Sequence, residues 1–163
     1  MNLYVDIGNS RVRLAGDADN APIAFYYGLE TLGEDLAGHC RLPAVPDRII
    51  VSNVAGDEVA AAFSAYCDTT WSRSPEFLRV AAAACGVTNG YHRHGQLGVD
   101  RWLAMIAGWN RHRGRVCIFD CGTAVTADLV DADGRHLGGY IMPGDRLQRQ
   151  VLTGSAAGIR PGG

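Results

Sequence analysis

The chain has 163 residues, 47% of them hydrophobic and 20% charged, with a formal net charge of −2; that suits one ordinary domain or two small lobes sharing a cleft and excludes larger multi-domain machinery. The balance is that of a soluble globular protein with no electrostatic grip on nucleic acid or on an anionic membrane. All 15 basic residues are arginine, which excludes chemistry built on lysine, such as a P-loop, the strand lysine of a protein kinase, or a Schiff base.

Residues 3–7 are a short apolar run closed by Gly8-Asn9-Ser10, after which Val12 and Leu14 alternate with Arg11 and Arg13; this predicts an opening β-hairpin. A third strand is expected over residues 23–27, a short helix over 30–40, and a buried strand over 48–52 after the turn signals of residues 43–47. Residues 57–67 combine good helix formers with Asp57 and Glu58 in the first turn, where acidic groups complement the helix dipole. Residues 99–112 predict a second long helix whose Trp102, Met105, Ile106 and Trp109 mark one apolar face, read as core packing rather than ligand contact. Residues 116–119 read as a buried strand, 124–130 as its return, 131–134 as a turn into a third strand ending through Met142, and 145–152 as a helix. Residues 154–163 carry no apolar pattern and read as a loop or frayed end. Three strands and one helix make a thin second lobe, so the expectation is a truncated form of a longer protein or a partner over the open face.

The five cysteines, Cys40, Cys67, Cys85, Cys117 and Cys121, are odd in number and scattered, with no Cys-x-x-Cys pair. They indicate neither a disulfide framework nor a zinc knuckle, and a reducing cytosol fits them best. The chain opens directly on a strand-like run without signal-peptide character, and no stretch approaches the roughly 20 apolar residues of a membrane span. A cytoplasmic protein is expected.

The most informative feature is an internal echo between Asp6-Ile7-Gly8-Asn9-Ser10 and Asp120-Cys121-Gly122-Thr123-Ala124. In each, an acidic residue leaves a strand, a glycine lets the backbone approach a ligand, and a polar or hydroxyl side chain follows. A single copy reads as a tight hairpin turn; the matched pair reads as two turns gripping a polyphosphate, with carboxylates holding counter-cations. At Leu97-Gly98-Val99-Asp100-Arg101, Asp100 is either a helix cap in a surface ion pair or a general base beside a cation suited to a carboxylate or phosphate. Tyr91 could close a small-substrate pocket or be structural. Asp128 could face a cleft, but solvent or a structural role is favoured. His92 and His94 have no third ligand nearby, which argues against a metal. Cys121 reads as a small filler, and Gly138-Gly139-Tyr140-Ile141-Met142-Pro143-Gly144 as a strand allowing close backbone packing before a turn into a helix.

These segments, in this order and at approximately matching intervals over nearly the whole chain, resemble the type III pantothenate kinase family. That family sits in the acetate and sugar kinase, heat-shock ATPase and actin superfamily. The resemblance implies an α/β fold of two ribonuclease H-like lobes around a nucleotide cleft, here residues 1–114 as the N-terminal lobe and 115–163 as a partial C-terminal lobe. It implies ATP-dependent phosphorylation of pantothenate to 4′-phosphopantothenate, the first step of coenzyme A synthesis. Asp6, Ile7, Gly8, Asn9, Ser10, Arg11, Val12 and Arg13 would form the first phosphate turn, with Asp6 near Mg2+. Tyr91, Gly98, Val99, Asp100 and Arg101 would contact pantothenate, with Asp100 as the base. Asp120 would bind the monovalent cation, K+ or NH4+, and Thr123 would contact ATP. The resemblance also implies a homodimer whose pantothenate site draws on both subunits. Two departures stand out: His94 replaces the usual proline between the tyrosine and the Leu-Gly-x-Asp-Arg segment, and family members continue well past the position of Gly163. The alternatives are a non-catalytic nucleotide-binding or regulatory accessory protein on the same scaffold, or an inactive truncated fragment; Asp100 and Arg101 favour the enzyme.

Overall fold

Leu3, Val5 and Ile7 alternate with Tyr4 and Asp6 along β1 (Asn2–Ile7), and Val12 and Leu14 alternate with Arg11 and Arg13 along β2 (Arg11–Gly16). In the computed structural model, which describes residues 1–17 and 21–155, this apolar set points into one core. The hairpin continues into β3 (Ile23–Tyr26), while β4 (Arg48–Asn53) pairs parallel with β1 and β5 (Glu76–Phe77) parallel with β4. The resulting five-stranded order is β3-β2-β1-β4-β5. α1 (Leu32–His39) buries Leu32 and Leu36 against it. α2 (Asp57–Trp71) buries Val59, Phe63 and Cys67, spaced four apart as one helical face requires. The helix predicted over 57–67 thus runs a full turn further and stops only at Ser72, which takes the left-handed conformation at φ 53°.

The second unit begins with a hairpin of two short strands, β6 (Ala83–Ala84) and β7 (Val87–Thr88). Its turn residues, Cys85 and Gly86, both have positive φ, 50° and 84°, as a two-residue hairpin turn matching strand twist demands. Gly86 has a second reason to be glycine, since a Cβ there would lie 2.6 Å from the ring of Trp109. After a 3-10 turn at His94–Gln96 comes α3 (Val99–His112), then β8 (Val116–Cys121), β9 (Ala124–Val130), β10 (His136–Pro143) and α4 (Asp145–Ser155). The last three strands form an antiparallel sheet in the order β10-β9-β8. Trp102, Met105 and Trp109 of α3 are buried with Val87, Leu97 and Val130, so the predicted aromatic stripe is core.

The sheet of this unit differs from expectation in which face it buries. Residues 116–119 read as a buried strand, yet Cys117 and Phe119 are exposed and only Val116 and Ile118 turn towards α3. The chain forms two compact units, Met1–Arg79 and Val80–Gly163, and in the second α3 packs on β8 and β9. α4 continues to Ser155, two residues into the segment read as loop, and the rest of that segment lies outside the described residues. The architecture is mixed α/β, with four α-helices among the described residues. None of these helices is long and apolar enough to cross a membrane.

Candidate functional site

The register of β1 and β2 sets Asp6 opposite Arg13 and Ile7 opposite Val12. Arg13 Nη1 donates to Asp6 Oδ2 at 2.8 Å, an ion pair in which both side chains are about one-third or more exposed. Beyond it the chain turns through Gly8, Asn9, Ser10 and Arg11, with the Gly8 N–H donating to the Arg11 carbonyl at 3.0 Å. Two further contacts brace the turn: the Tyr27 hydroxyl donates to the Gly8 carbonyl at 2.8 Å, and the Val54 N–H to the Ile7 carbonyl at 3.0 Å. Burial holds the Tyr27 phenol above its ordinary value. Arg11 lays its guanidinium over the Tyr26 ring at 5.6 Å, and Asn9 stands exposed at the tip.

The echo turn is built the same way with one residue fewer. Asp120 pairs opposite Thr126 and Cys121 opposite Val125, leaving residues 122–124 at the tip against residues 8–11 in the first turn. The Gly122 N–H closes it on the Ala124 carbonyl at 2.9 Å, and the Gly144 N–H donates to the Thr123 carbonyl at 2.9 Å. A Cβ at Gly144 would lie 2.4 Å from the Gly122 carbonyl oxygen, so only glycine lets the end of β10 press on this turn. Asp120 and Cys121 are exposed and Thr123 is half-buried.

At the start of α3 the N-cap is Gly98, with no side-chain capping bond. Asp100, half-buried in the first turn, accepts the Arg101 N–H on Oδ1 at 2.7 Å, so it does meet one of the helix's unpaired donors. Arg101 itself turns inward. Its Nε donates to Asp128 Oδ2 at 2.8 Å and its Nη2 to Asp128 Oδ1 at 2.7 Å, with the two side chains 9% and 2% exposed. The bidentate carboxylate pushes the guanidinium further above its ordinary range. Nη1 reaches the Tyr91 hydroxyl at 3.4 Å. Asp128 therefore faces neither solvent nor an open edge; of the readings above, the structural one holds.

His136, which the sequence reading did not single out, completes the group. Its Nε2 lies 3.0 Å from Asp128 Oδ1, and its ring stacks on Tyr91 with centroids 5.8 Å apart and planes at 17°. Gly139 pairs opposite Asp128 in the β9–β10 register, and a Cβ there would lie 2.2 Å from Asp128 Oδ1 and 2.7 Å from Arg101 Nη2. Of the two glycines read as allowing close packing, Gly139 is the one that packs against this ion pair, while a Cβ at Gly138 would meet nothing within 4 Å. Asn89 fixes the approach of Tyr91, accepting its N–H at 2.9 Å while donating to the Ala81 carbonyl at 3.3 Å. Of the predicted substrate contacts, Tyr91 and Arg101 meet directly and Asp100 adjoins Arg101, whereas the Val99 side chain is buried and the least available. His92 is exposed and His94 half-buried; among the described residues no group of three His, Cys, Asp or Glu could hold a metal.

The family model for type III pantothenate kinase matches residues 2–161. A type III pantothenate kinase of Nitrosococcus oceani is 38% identical over 98% of this chain and 63% of its own length. That of Halorhodospira halophila is 39% identical over 96% of the chain and 65% of its own length. The chain thus spans a little under two thirds of these relatives. Among solved structures, a Baf family transcriptional activator from Campylobacter jejuni superposes with a TM-score of 0.58 at 19% identity, over 98% of this chain and 63% of that one. A 2-dehydro-3-deoxygalactonokinase from Sinorhizobium meliloti gives 0.53 at 21%, over 98% and 62%. At such identities these two likenesses are of fold alone. The family match runs unbroken from the Asp6 turn through the Tyr91 loop, the Asp100-Arg101 start of α3 and the Asp120 turn to the strand that packs on Arg101, and the chain belongs to the type III pantothenate kinase family.

Proposed function

We propose that this chain carries the site for ATP-dependent phosphorylation of pantothenate, giving 4′-phosphopantothenate and ADP, the first step of coenzyme A synthesis. The observation that carries the reading is the pairing at the start of α3: a half-buried carboxylate, Asp100, directly beside a guanidinium that Asp128 holds in a fixed fork. Asp100 accepts the proton of the primary hydroxyl as that oxygen attacks the γ-phosphorus and ADP leaves. Arg101, with Tyr91, Gly98 and the Val99 backbone, binds pantothenate and balances its carboxylate. Residues 6–13 cradle phosphate oxygens through turn amides, Asn9 and Ser10, and Thr123 contacts the nucleotide. Positioning and charge neutralisation suffice for phosphoryl transfer, so the absence of lysine is no obstacle.

Magnesium in such transfers takes one or two carboxylates together with substrate phosphates rather than an all-protein cage. Asp6, at the end of β1 beside the turn, fits that requirement, and Asp120, exposed at the end of β8, would hold K+ or NH4+. Bound there, these ions would neutralise phosphate charge. The ribonuclease H-like character of the units is part of the same proposal; its support is the mixed order of the first sheet, antiparallel through β3-β2-β1 and parallel through β1-β4-β5. So is a homodimer that completes the pantothenate site.

The test is pantothenate-dependent ADP release with magnesium and either potassium or sodium, for the wild type and Asp100→Asn. Turnover that requires pantothenate and potassium, and falls about 10²- to 10⁴-fold in the variant, is expected for loss of a general base. A folded wild-type protein that releases no ADP in response to pantothenate overturns the reading.

A further inference from the structure

We infer that His136 is a positioning residue: through Asp128 it fixes the guanidinium of Arg101 so that a single edge, Nη1 beside the Tyr91 hydroxyl, is presented to an anionic group. Asp128 Oδ2 accepts one hydrogen bond, from Arg101 Nε, whereas Oδ1 accepts two, from Arg101 Nη2 at 2.7 Å and from His136 Nε2 at 3.0 Å. A carboxylate only accepts, so Nε2 carries the proton and the ring is held as that tautomer. Its other nitrogen, Nδ1, is buried and has no hydrogen-bond partner among the described residues. A fold that needed only an aromatic filler against Tyr91 would avoid that orphaned atom. Here the unpaired Nδ1 accompanies an Nε2–H aimed at Oδ1, the oxygen that also accepts from Arg101 Nη2.

The consequence for recognition follows from the donor count. Nε and one hydrogen of Nη2 are committed to Asp128, so the side-on Nε/Nη2 fork is already taken and the donors left are on the Nη1 side. An incoming carboxylate meets Nη1, with the Tyr91 hydroxyl 3.4 Å away as a second donor. Gly139 and Gly90 make the arrangement possible: a Cβ at the first would strike Asp128 and Arg101, and one at the second would lie 2.2 Å from the His136 carbonyl oxygen. The effect on substrate binding rests on the function proposed above; the fixing of Arg101 does not.

Two variants and one measurement on the wild type decide it. His136→Phe keeps an aromatic ring to stack on Tyr91 but removes the donor, and His136→Gln restores an amide N–H near the Nε2 position. The Arg101 Nε–Hε resonance, assigned by its loss in Arg101→Lys, is expected to exchange slowly with solvent in the wild type and in His136→Gln and rapidly in His136→Phe. KM for pantothenate should rise on the order of tenfold in His136→Phe, the scale of one hydrogen bond to a charged group, with kcat little changed and with rescue by His136→Gln. Unchanged Arg101 exchange in a folded His136→Phe overturns the inference. Should that variant not fold, the wild-type ring decides: 15N spectra showing the proton on Nδ1 rather than Nε2 overturn it equally. A wild type that shows the protected Arg101 signal but no response to pantothenate would sink the proposed function and leave this positioning role standing.

Discussion

Asp128 holds Arg101 through both carboxylate oxygens, from a position 27 residues further along the chain and with both side chains nearly closed to solvent. Asp128→Asn turns an amide NH2 against a guanidinium donor and leaves a buried cation without its counter-charge. It should cost about 3 kcal/mol, the lower end for breaking a buried pair by removing one partner. Arg101→Lys keeps the charge but loses the fork, and should cost about 1–2 kcal/mol. Urea midpoints of the two variants test this. An Arg101→Lys midpoint equal to that of the wild type would mean the fork geometry contributes nothing.

Gly139 and Gly38 should respond to alanine with opposite signs. At Gly139 the new Cβ would lie 2.2 Å from Asp128 Oδ1 and 2.5 Å from the Ala127 carbonyl oxygen, and the latter is backbone that cannot swing aside. Gly139→Ala should destabilise by about 1–3 kcal/mol, as overpacking does, and loosen the Arg101 pair with it. Gly38, exposed in α1 with nothing within 4 Å of its Cβ position, should gain up to about 1 kcal/mol from Gly38→Ala. Thermal melts of the two variants are the check.

What the sequence made legible follows from where its apolar residues point. In β1 and β2 the apolar set faces the core, so the hairpin could be read directly, as could the Trp102, Met105 and Trp109 stripe of α3. In β9 the pattern is inverted. Thr126, Asp128 and Val130 are buried beneath α3, while Leu129 on the other face is 37% exposed. Alternation read with the apolar side inward cannot tell a solvent-facing Asp128 from a structural one, and the buried ion pair decides for the second. His136 gave no signal of its own, because its partner Asp128 is reached only through the β9–β10 pairing and a register shift between His136 and Gly138. Three strands, β5 to β7, have two residues each, too few to show a period of two. The packing of α3 was hidden for a related reason, since the surface it covers lies in β8 and β9, after it in the chain.

Burial pushes the Cys67 thiol up to about 12 and the Cys40 thiol up to about 11, from an ordinary 9.0. The folded state therefore keeps two protons that the unfolded chain releases from about pH 9 upward. Their contribution to stability is fully present below pH 9 and is lost as pH rises towards 11 and 12. Burial moves Tyr27 and Tyr66 in the same direction. Denaturation midpoints should therefore fall from pH 9 to pH 11, and less steeply in the Cys40→Ala, Cys67→Ala double variant. At pH 8 a thiol-alkylating reagent should label Cys85, Cys117 and Cys121, which are exposed, well before Cys67. Rapid labelling of Cys67 in the native protein would contradict this.

The inverted sheet leaves a consequence on its outer side. Phe119 is 66% exposed and Tyr140 78%, and with Cys117, Leu129 and Leu137 they line one open groove across β8, β9 and β10. Soluble monomers rarely expose contiguous apolar surface of this kind. The native chain is therefore expected to bind a hydrophobic dye such as ANS and to associate as its concentration rises. Phe119→Ser combined with Tyr140→Ser should suppress both behaviours. Because these side chains bury little of their surface in the fold, the double variant should change stability by no more than about 0.5 kcal/mol per site. Dye fluorescence, sedimentation over a concentration series and a melting curve on the same two proteins test this together. A double variant that melts well below the wild type would show that the face is packed in solution, and the exposure argument would fall with it.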